Sequence, residues 1–324
     1  MRALVTGANG FIGSHLVEHL LERDHTVTCL VRKTSDLRWI EGLRVRFVYG
    51  DCRDGDSLGP ALREVDHVFH LAGTIRARDR KTYFQTNHIG TRNLVDACAD
   101  PHARVTRFVY VSSISAAGPS RPGHLKSEEE ESLPITDYGR SKLLGEEAVR
   151  ESGLEWVIIR PPNVLGPREE TFLSMARILK GRIKPLIGNG DEQTSICFVG
   201  DLVRGILEAA LSEKARRQVY YLTDGKTYSW RKITNTTADA LGVSGFMIPI
   251  PTPLMMAVAV FSEIAASLRS RPSVVSREQI GRVRDCYWTF DGSKAERDFG
   301  FKASVDLERG IGDTVDWYRR RKLL

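Results

Sequence analysis

Tyr138 and Lys142 lie four residues apart in YGRSK, a spacing that puts both side chains on one face of a helix. A phenol of reference pKa near 10 is a poor base at neutral pH and needs help to give up its proton. An ammonium about 4 Å away, at an effective dielectric near 20, supplies roughly 4 kcal/mol of that help, or about three pKa units. The pair can then exchange a proton with a hydroxyl group while hydride leaves or reaches the carbon that bears it. A third hydroxyl, donating to the same oxygen, would orient an alcohol or polarise a carbonyl. VSSISAAG at 111–118 offers Ser112, Ser113 and Ser115; neighbouring strand residues face opposite sides, so Ser112 and Ser113 are rivals.

Hydride chemistry needs a carrier, and TGANGFIG at 6–13 has the makings of a dinucleotide turn. It follows the apolar run ALVT and opens a helical pattern, the context that separates such a turn from chance glycines. Gly7 permits a sharp exit from the strand, Gly10 lets a pyrophosphate approach the backbone, and Gly13 lets the helix pack closely on the sheet. Backbone N–H groups from Asn9 through Phe11 and Ile12, with the positive end of the helix dipole, are expected to hold the phosphates. At the end of the second strand stand Arg32 and Lys33, where NAD binders tend to place an acid for the ribose 2′-hydroxyl. Two cations suit a 2′-phosphate, so NADP is the expected cofactor and NAD the second choice.

The elements that must position these groups are legible in the first half. Short β-branched runs at 3–6, 26–31, 45–50, 67–73, 107–113 and 155–161 alternate with amphipathic stretches such as Ile12 to Arg23 and Thr86 to Ala99. Near-continuous apolar strands separated by helices predict an α/β fold with a doubly wound parallel sheet. After Arg160 the rhythm breaks at Pro161-Pro162, Gly166-Pro167 and Gly188-Asn189-Gly190. We therefore expect a dinucleotide-binding domain from 1–160 plus 197–226 and a smaller, mostly helical substrate lobe from 161–196 plus 227–324. The acidic run Glu128 to Glu131 reads as a solvated loop.

With 324 residues, 41% hydrophobic and 27% charged, the composition is that of an ordinary globular protein. The net charge of +6 is spread along the chain, without the basic block of a nucleic-acid binder. Five cysteines lie far apart with no C-x-x-C pair, which predicts neither a disulfide framework nor a metal site and fits a reducing cytoplasm. No signal peptide is expected ahead of Ala3-Leu4-Val5. PLMMAVAVF at 253–261 falls short of the roughly 20 apolar residues of a spanning helix, so it reads as a packed helix, with lipid contact the lesser alternative. The basic end RRRK at 319–322 reads as a solvated helix end.

Taken in order, TGANGFIG, VSSISAAG, YGRSK and RPPNVLGP make the chain resemble the extended short-chain dehydrogenase/reductase superfamily, the NAD-dependent epimerase/dehydratase group. The likeness runs from Ala3 through FDGSKAERDFGF to the last helix. It implies a catalytic triad of Ser113, Tyr138 and Lys142, with Ser113 preferred because it lies five residues before Gly118. It implies that Asp51 and Cys52 approach the adenine, Asp51 with the alternative of merely capping a turn, that Leu71, Ala72 and Gly73 flank the cofactor, and that Pro161 to Asn163 meet the carboxamide. Ser112 and Asn87 join the cofactor-side candidates by the same resemblance, Asn87 with the alternative of fixing its own helix. His70, on an apolar strand, reads as a core residue. Relatives are commonly homodimers through helices matching 82–99 and 137–151.

Two branches compete. Nucleotide-sugar epimerases and dehydratases, which use tightly held NAD, usually carry an arginine on the sugar-nucleotide phosphates where GNGDEQTS places Thr194. A neutral hydroxyl cannot replace that clamp, although Asn163 and Arg282 match epimerase positions. The pattern of the last hundred residues resembles the 3β-hydroxysteroid dehydrogenase/dihydroflavonol reductase branch, which implies a secondary alcohol or ketone on a bulky small-molecule substrate. A nucleotide sensor that keeps the fold but not the chemistry is the reading from another class; retention of both Tyr138 and Lys142 speaks against it.

Overall fold

The computed structural model of the chain describes residues 1–77, 79–181, 183–251, 253–257, 259 and 286–324. Its strands are β1 (Arg2–Thr6), β2 (Thr26–Val31), β3 (Arg46–Tyr49), β4 (His67–His70), β5 (Arg107–Val111), β6 (Trp156–Arg160), β7 (Asn163–Leu165), β8 (Ile183–Ile187), β9 (Gln193–Phe198), β10 (Gln218–Tyr221), β11 (Thr227–Ser229) and β12 (Phe246–Ile250). Seven of them form one sheet in the order β10-β6-β5-β4-β1-β2-β3, parallel throughout. The chain leaves β1 toward β2 and β3, then returns to β4 on the other side. A crevice therefore opens beyond the C-terminal ends of β1 and β4, the usual ligand position in such sheets.

Helices α1 (Phe11–Leu21), α2 (Gly59–Leu62), α3 (Arg80–Phe84), α4 (Gly90–Cys98), α5 (Ile114–Ala117), α6 (Asp137–Arg150), α7 (Glu170–Leu179), α8 (Val199–Leu211) and α9 (Trp230–Leu241) follow, and α10 (Ser293–Phe299) and α11 (Leu307–Arg320) close the chain. Every residue of β5 and β6 is buried, which is why neither strand shows a polar alternation. One face of the sheet packs Val5, Val109 and Ile159 against Leu16 of α1 and Leu202 and Ile206 of α8. The other packs Leu4, Val68 and Ile158 against Leu94 of α4 and Val149 of α6. The smaller sheets, β11-β9-β7 and β12-β8, lie in the part of the chain after β6. The doubly wound α/β fold is as expected.

Two local expectations change. The stretch 86–99 is not one α-helix, because a π-turn at Gln85–Ile89 separates α3 from α4; π-turns of this kind recur at functional sites. The acidic run is not simply solvated: Glu128 accepts the Tyr221 backbone N–H (2.9 Å) at the edge strand β10. Glu130 accepts the Ser127 N–H at 2.8 Å and pairs with His124 at 2.9 Å. The apolar segment at 253 begins as a helix over 253–257, and 258, everything from 260 to 285, and so Arg282, lie outside the described residues. No helix among the described residues is long and apolar enough to cross a membrane.

His70 is the core residue expected from its strand. Its Nδ1 meets the Thr6 hydroxyl at 2.7 Å and its Nε2 the Thr91 hydroxyl at 2.9 Å, and burial pushes its pKa down to about 3. The unfolded chain then takes a proton near pH 6.5 that the folded chain refuses until about pH 3. Stability contributed by this group is complete above pH 6.5 and falls as the pH drops through that window, by about 3 kcal/mol at pH 4.5. Urea unfolding from pH 7 to 4.5 should show this loss, and His70→Gln should flatten it by about one proton. An unchanged slope in that variant would contradict the assignment.

Candidate active site

The cofactor side is built from β1, its turn and α1. Gly7 sits at φ +67°, and a Cβ there would fall 2.7 Å from Ala72 N and from Leu71 C in the turn after β4. A Cβ on Gly13 would lie 2.1 Å from the Gly7 carbonyl oxygen, so only glycine lets α1 start so close to the strand end. Gly10 is the N-cap of α1 and no side chain caps it, which leaves helix N–H groups for an anion. A Cβ-free cradle ending in an uncapped helix fits a dinucleotide pyrophosphate. Ala72 N–H donates to Thr6 Oγ1 at 3.1 Å, tying the Leu71-Ala72-Gly73 turn to β1.

The ends of β2 and β3 lie at the far side of the crevice. Arg32 and Lys33 are exposed just beyond β2, with Asn9 reaching the Asp36 carbonyl (3.2 Å) nearby. Asp51 pairs with Arg53 at 2.6 Å, and that hydrogen bond holds its carboxyl below the usual range. A shallow depression of about 500 Å³ is lined by Asp51, Arg53, Asp54, Gln85 and Ile89. The Cys52 side chain instead joins the core with Leu58 and Leu94; only its backbone carbonyl reaches outward, to Asn93 Nδ2 at 3.0 Å.

Strand β5 ends at Val111, and Ser113 caps α5 by accepting the Ser115 N–H at 3.1 Å. Helix α6 starts beside it, capped by Thr136, whose hydroxyl accepts the Gly139 N–H at 2.9 Å. This register brings Tyr138 and Lys142 to the end of β5. Tyr138 is partly exposed, its ring 6.0 Å from that of Tyr83. Lys142 is 3% exposed; its Nζ donates to the Val111 carbonyl at 2.8 Å and lies 4.3 Å from the Tyr110 ring centre. A Cβ on Gly73 would be 3.8 Å from that nitrogen, so Lys142 stands between the candidate triad and the cofactor turn. Burial pushes Lys142 down to about 7, opposed by the Glu146 carboxylate.

The rival hydroxyls separate in the structure. Ser112 is buried and donates to Glu146 at 2.6 Å, away from the turn that Ser113 caps, while Ser115 is buried at 1% exposure. Asn87, in the π-turn, accepts from Thr74 N (2.8 Å) and donates to Thr74 O (3.0 Å) and Ser141 Oγ (2.9 Å). Its amide thus joins the β4 turn to α6, rather than serving only its own helix as the alternative reading had it. Pro161 accepts the Ile114 N–H at 3.1 Å, and Asn163 donates to Thr194 Oγ1 at 2.6 Å.

Sequence reasoning passed over Glu146, Arg160 and Arg168. Arg168 donates to Ser14 (2.9 Å) and Glu18 (2.6 Å) on α1, joining the segment after β7 to the cofactor helix. The first two had a signal: Glu146 is four residues after Lys142, and Arg160 ends an otherwise apolar strand.

Residues 3–222 match the model of the NAD dependent epimerase/dehydratase family. The chain belongs to that family. Sterol demethylase protein B of Methylococcus capsulatus is 30% identical over 344 residues, covering 100% of both chains. Sterol-4-alpha-carboxylate 3-dehydrogenase, decarboxylating, of Mus musculus is 26% identical, over 97% of this chain and 90% of its own. Among solved structures, the Thermus thermophilus UDP-glucose 4-epimerase in complex with NAD superposes with a TM-score of 0.79 at 26% identity, over 98% of this chain and 99% of that one. The chain is therefore an enzyme of the extended short-chain type, from a family of nicotinamide-dependent dehydrogenases, reductases and epimerases acting on small molecules, and its pattern and relatives are consistent with the 3β-hydroxysteroid dehydrogenase-like branch.

Proposed function

We propose that this enzyme moves hydride between C4 of a nicotinamide and the carbinol or carbonyl carbon of a bulky, largely apolar substrate such as a steroid or flavonol. A nicotinamide held there would supply or accept the hydride. Tyr138 exchanges the proton of the reacting oxygen, Lys142 favours its ionised form and holds the ribose, and Ser113 donates to the same oxygen. Gly7, Gly10 and Gly13 with Asn9, Phe11 and Ile12 cradle the pyrophosphate. Leu71 to Gly73 would flank the cofactor, and Pro161 to Asn163 would meet its carboxamide.

The observation that carries the substrate class is Thr194. It is 0% exposed, its hydroxyl accepting from Asn163 and donating to the Ser195 carbonyl at 3.1 Å. A buried, fully engaged hydroxyl supplies no charge for a sugar-nucleotide phosphate, and the sterol-directed names of two relatives agree with that reading. The test is a screen with NAD and NADP of hydroxysteroids and flavanones against UDP- and dTDP-sugars, followed at 340 nm. Stoichiometric formation of reduced cofactor from a hydroxysteroid is expected. Conversion of a UDP-sugar without net cofactor change would overturn the reading in favour of an epimerase.

Arg32 and Lys33 favour NADP. The nearby acids Asp36 and Asp51 are engaged by Arg38 and Arg53, so neither is free for a ribose diol. Each cation on a 2′-phosphate contributes about 1.5–3 kcal/mol. Replacing both by Ser should raise the Kd for NADPH at least 100-fold and that for NADH less than three-fold. Equal losses would assign NAD instead. Cys29, Cys52, Cys98 and Cys197 form no disulfide, as a cytoplasmic setting allows, and sedimentation equilibrium should show a homodimer, formed through the segments 82–99 and 137–151.

A further inference from the structure

Beneath the candidate triad lies a charged cluster to which no role has been given. Glu146, one turn beyond Lys142 on α6, is 0% exposed. Its Oε1 accepts from Ser112 Oγ at 2.6 Å and Arg160 Nε at 2.8 Å; its Oε2 accepts from Arg160 Nη2 at 2.7 Å and Arg150 Nη2 at 2.8 Å. Arg160 also reaches Tyr221 OH on β10 at 3.2 Å and Ser132 Oγ at 2.8 Å. One carboxylate thus gathers β5, β6, β10 and α6.

Stability alone is a weak reason for such a cluster, because a buried ion pair is often matched or exceeded by apolar packing of the same volume. What the cluster specifies is register. Val111 is held by Lys142 and Ser112 by Glu146, so two successive residues at the end of β5 are tied to α6 one helical turn apart, and the next residue is Ser113. Helix α5, which follows, also meets α6 closely: a Cβ on Gly139 would fall 2.2 Å from the Ser115 carbonyl oxygen.

We propose that Glu146 is a positioning residue for hydride transfer, fixing Ser113 against Tyr138 through Ser112 and keeping the Lys142 ammonium charged. The inference rests on the roles given above to Ser113, Tyr138 and Lys142. The groups around Lys142 are Tyr138 and Glu146 on α6, Tyr110 on β5, neutral His70 on β4, and Arg160 on β6. Glu146 is the acid among them, and its charge is the one that opposes the effect of burial on Lys142.

The experiment compares Glu146→Gln, Glu146→Asp, Ser112→Ala and the pair Glu146→Gln/Arg160→Gln, which removes both charges and serves if the single Gln variant does not fold. The first readout needs no substrate: the ε-carbon NMR titration of Lys142 in ε-13C-lysine protein, assigned by its absence in Lys142→Met. The midpoint should fall by one pH unit or more in Glu146→Gln, fall by less in the pair because the Arg160 cation is lost as well, and stay in place in Glu146→Asp and Ser112→Ala. The second is the pH profile of kcat and KM with a 3β-hydroxysteroid and NAD or NADP. The alkaline limb should move down with the midpoint, kcat in Ser112→Ala should fall at least five-fold without a shift, and cofactor KM should stay within two-fold. An unmoved midpoint in folded Gln variants, or an equal loss at every pH, overturns the proposal. If the wild type turns over no steroid, the substrate reading fails while the titration still decides the role of Glu146.

Discussion

Tyr138→Phe should lower kcat by roughly 10²–10⁴-fold, the range in which a positioned acid or base contributes, while the Kd for the cofactor changes less than two-fold. The separation follows from where the two functions sit. The pyrophosphate cradle is made by backbone from Gly7 to Gly13 and by the uncapped start of α1, none of which involves the phenol. The ring packs against Tyr83, and phenylalanine keeps that contact. Removing the oxygen therefore removes proton exchange and leaves the fold and the nucleotide site in place. Rapid-mixing kinetics with a hydroxysteroid, together with fluorescence titration of NADPH, would separate the two quantities. Activity within ten-fold of wild type would mean that another group moves the proton.

The parts of this site that were legible in the sequence are those that depend on local chain geometry. Gly10 and Gly13 of TGANGFIG are required within a single turn, where the close contact of each is the Gly7 oxygen, whereas the contacts that require Gly7 lie on the distant turn after β4. The four-residue spacing of Tyr138 and Lys142 is a property of one helix. The sheet was legible because β5 and β6 are buried on both faces and so are written in unbroken apolar runs. What could not be read depends on contacts between distant segments. Whether Ser112 or Ser113 faces the crevice depends on where α6 lies, and Glu146, 34 residues further on, takes Ser112. Glu146 itself has the pattern of an exposed helix acid paired with Arg150 four residues later; its burial comes from Arg160 on another strand. The π-turn at Asn87 is hidden for the same reason, because the partners of its amide, Thr74 and Ser141, lie 13 and 54 residues away. Glu128 reads as one of four loop acids until β10 arrives to donate to it.

Lys142→Met should produce opposite effects on catalysis and on stability. Loss of the ammonium removes the charge that favours the ionised phenol, so kcat near pH 7 should fall by roughly 10²–10³-fold. Stability moves the other way. The folded chain holds Lys142 near 7 against an ordinary value of 10.5, so below about pH 7 burying the charge costs about 5 kcal/mol. The cost declines as the pH rises through that interval and is gone above 10.5. Methionine removes it and fills nearly the same volume, while leaving the Val111 carbonyl without its donor at a cost of about 1–3 kcal/mol. The balance favours the variant at pH 7 by a few kcal/mol, and the advantage should shrink steadily toward pH 10. Thermal melts of both proteins across that range test the sign directly: a variant less stable at pH 7, or a difference that does not change with pH, would show that Lys142 is not a charged group held at a cost to the fold. If the gap closes as described, a lysine that destabilises the resting protein is kept because the chemistry at Tyr138 requires its charge.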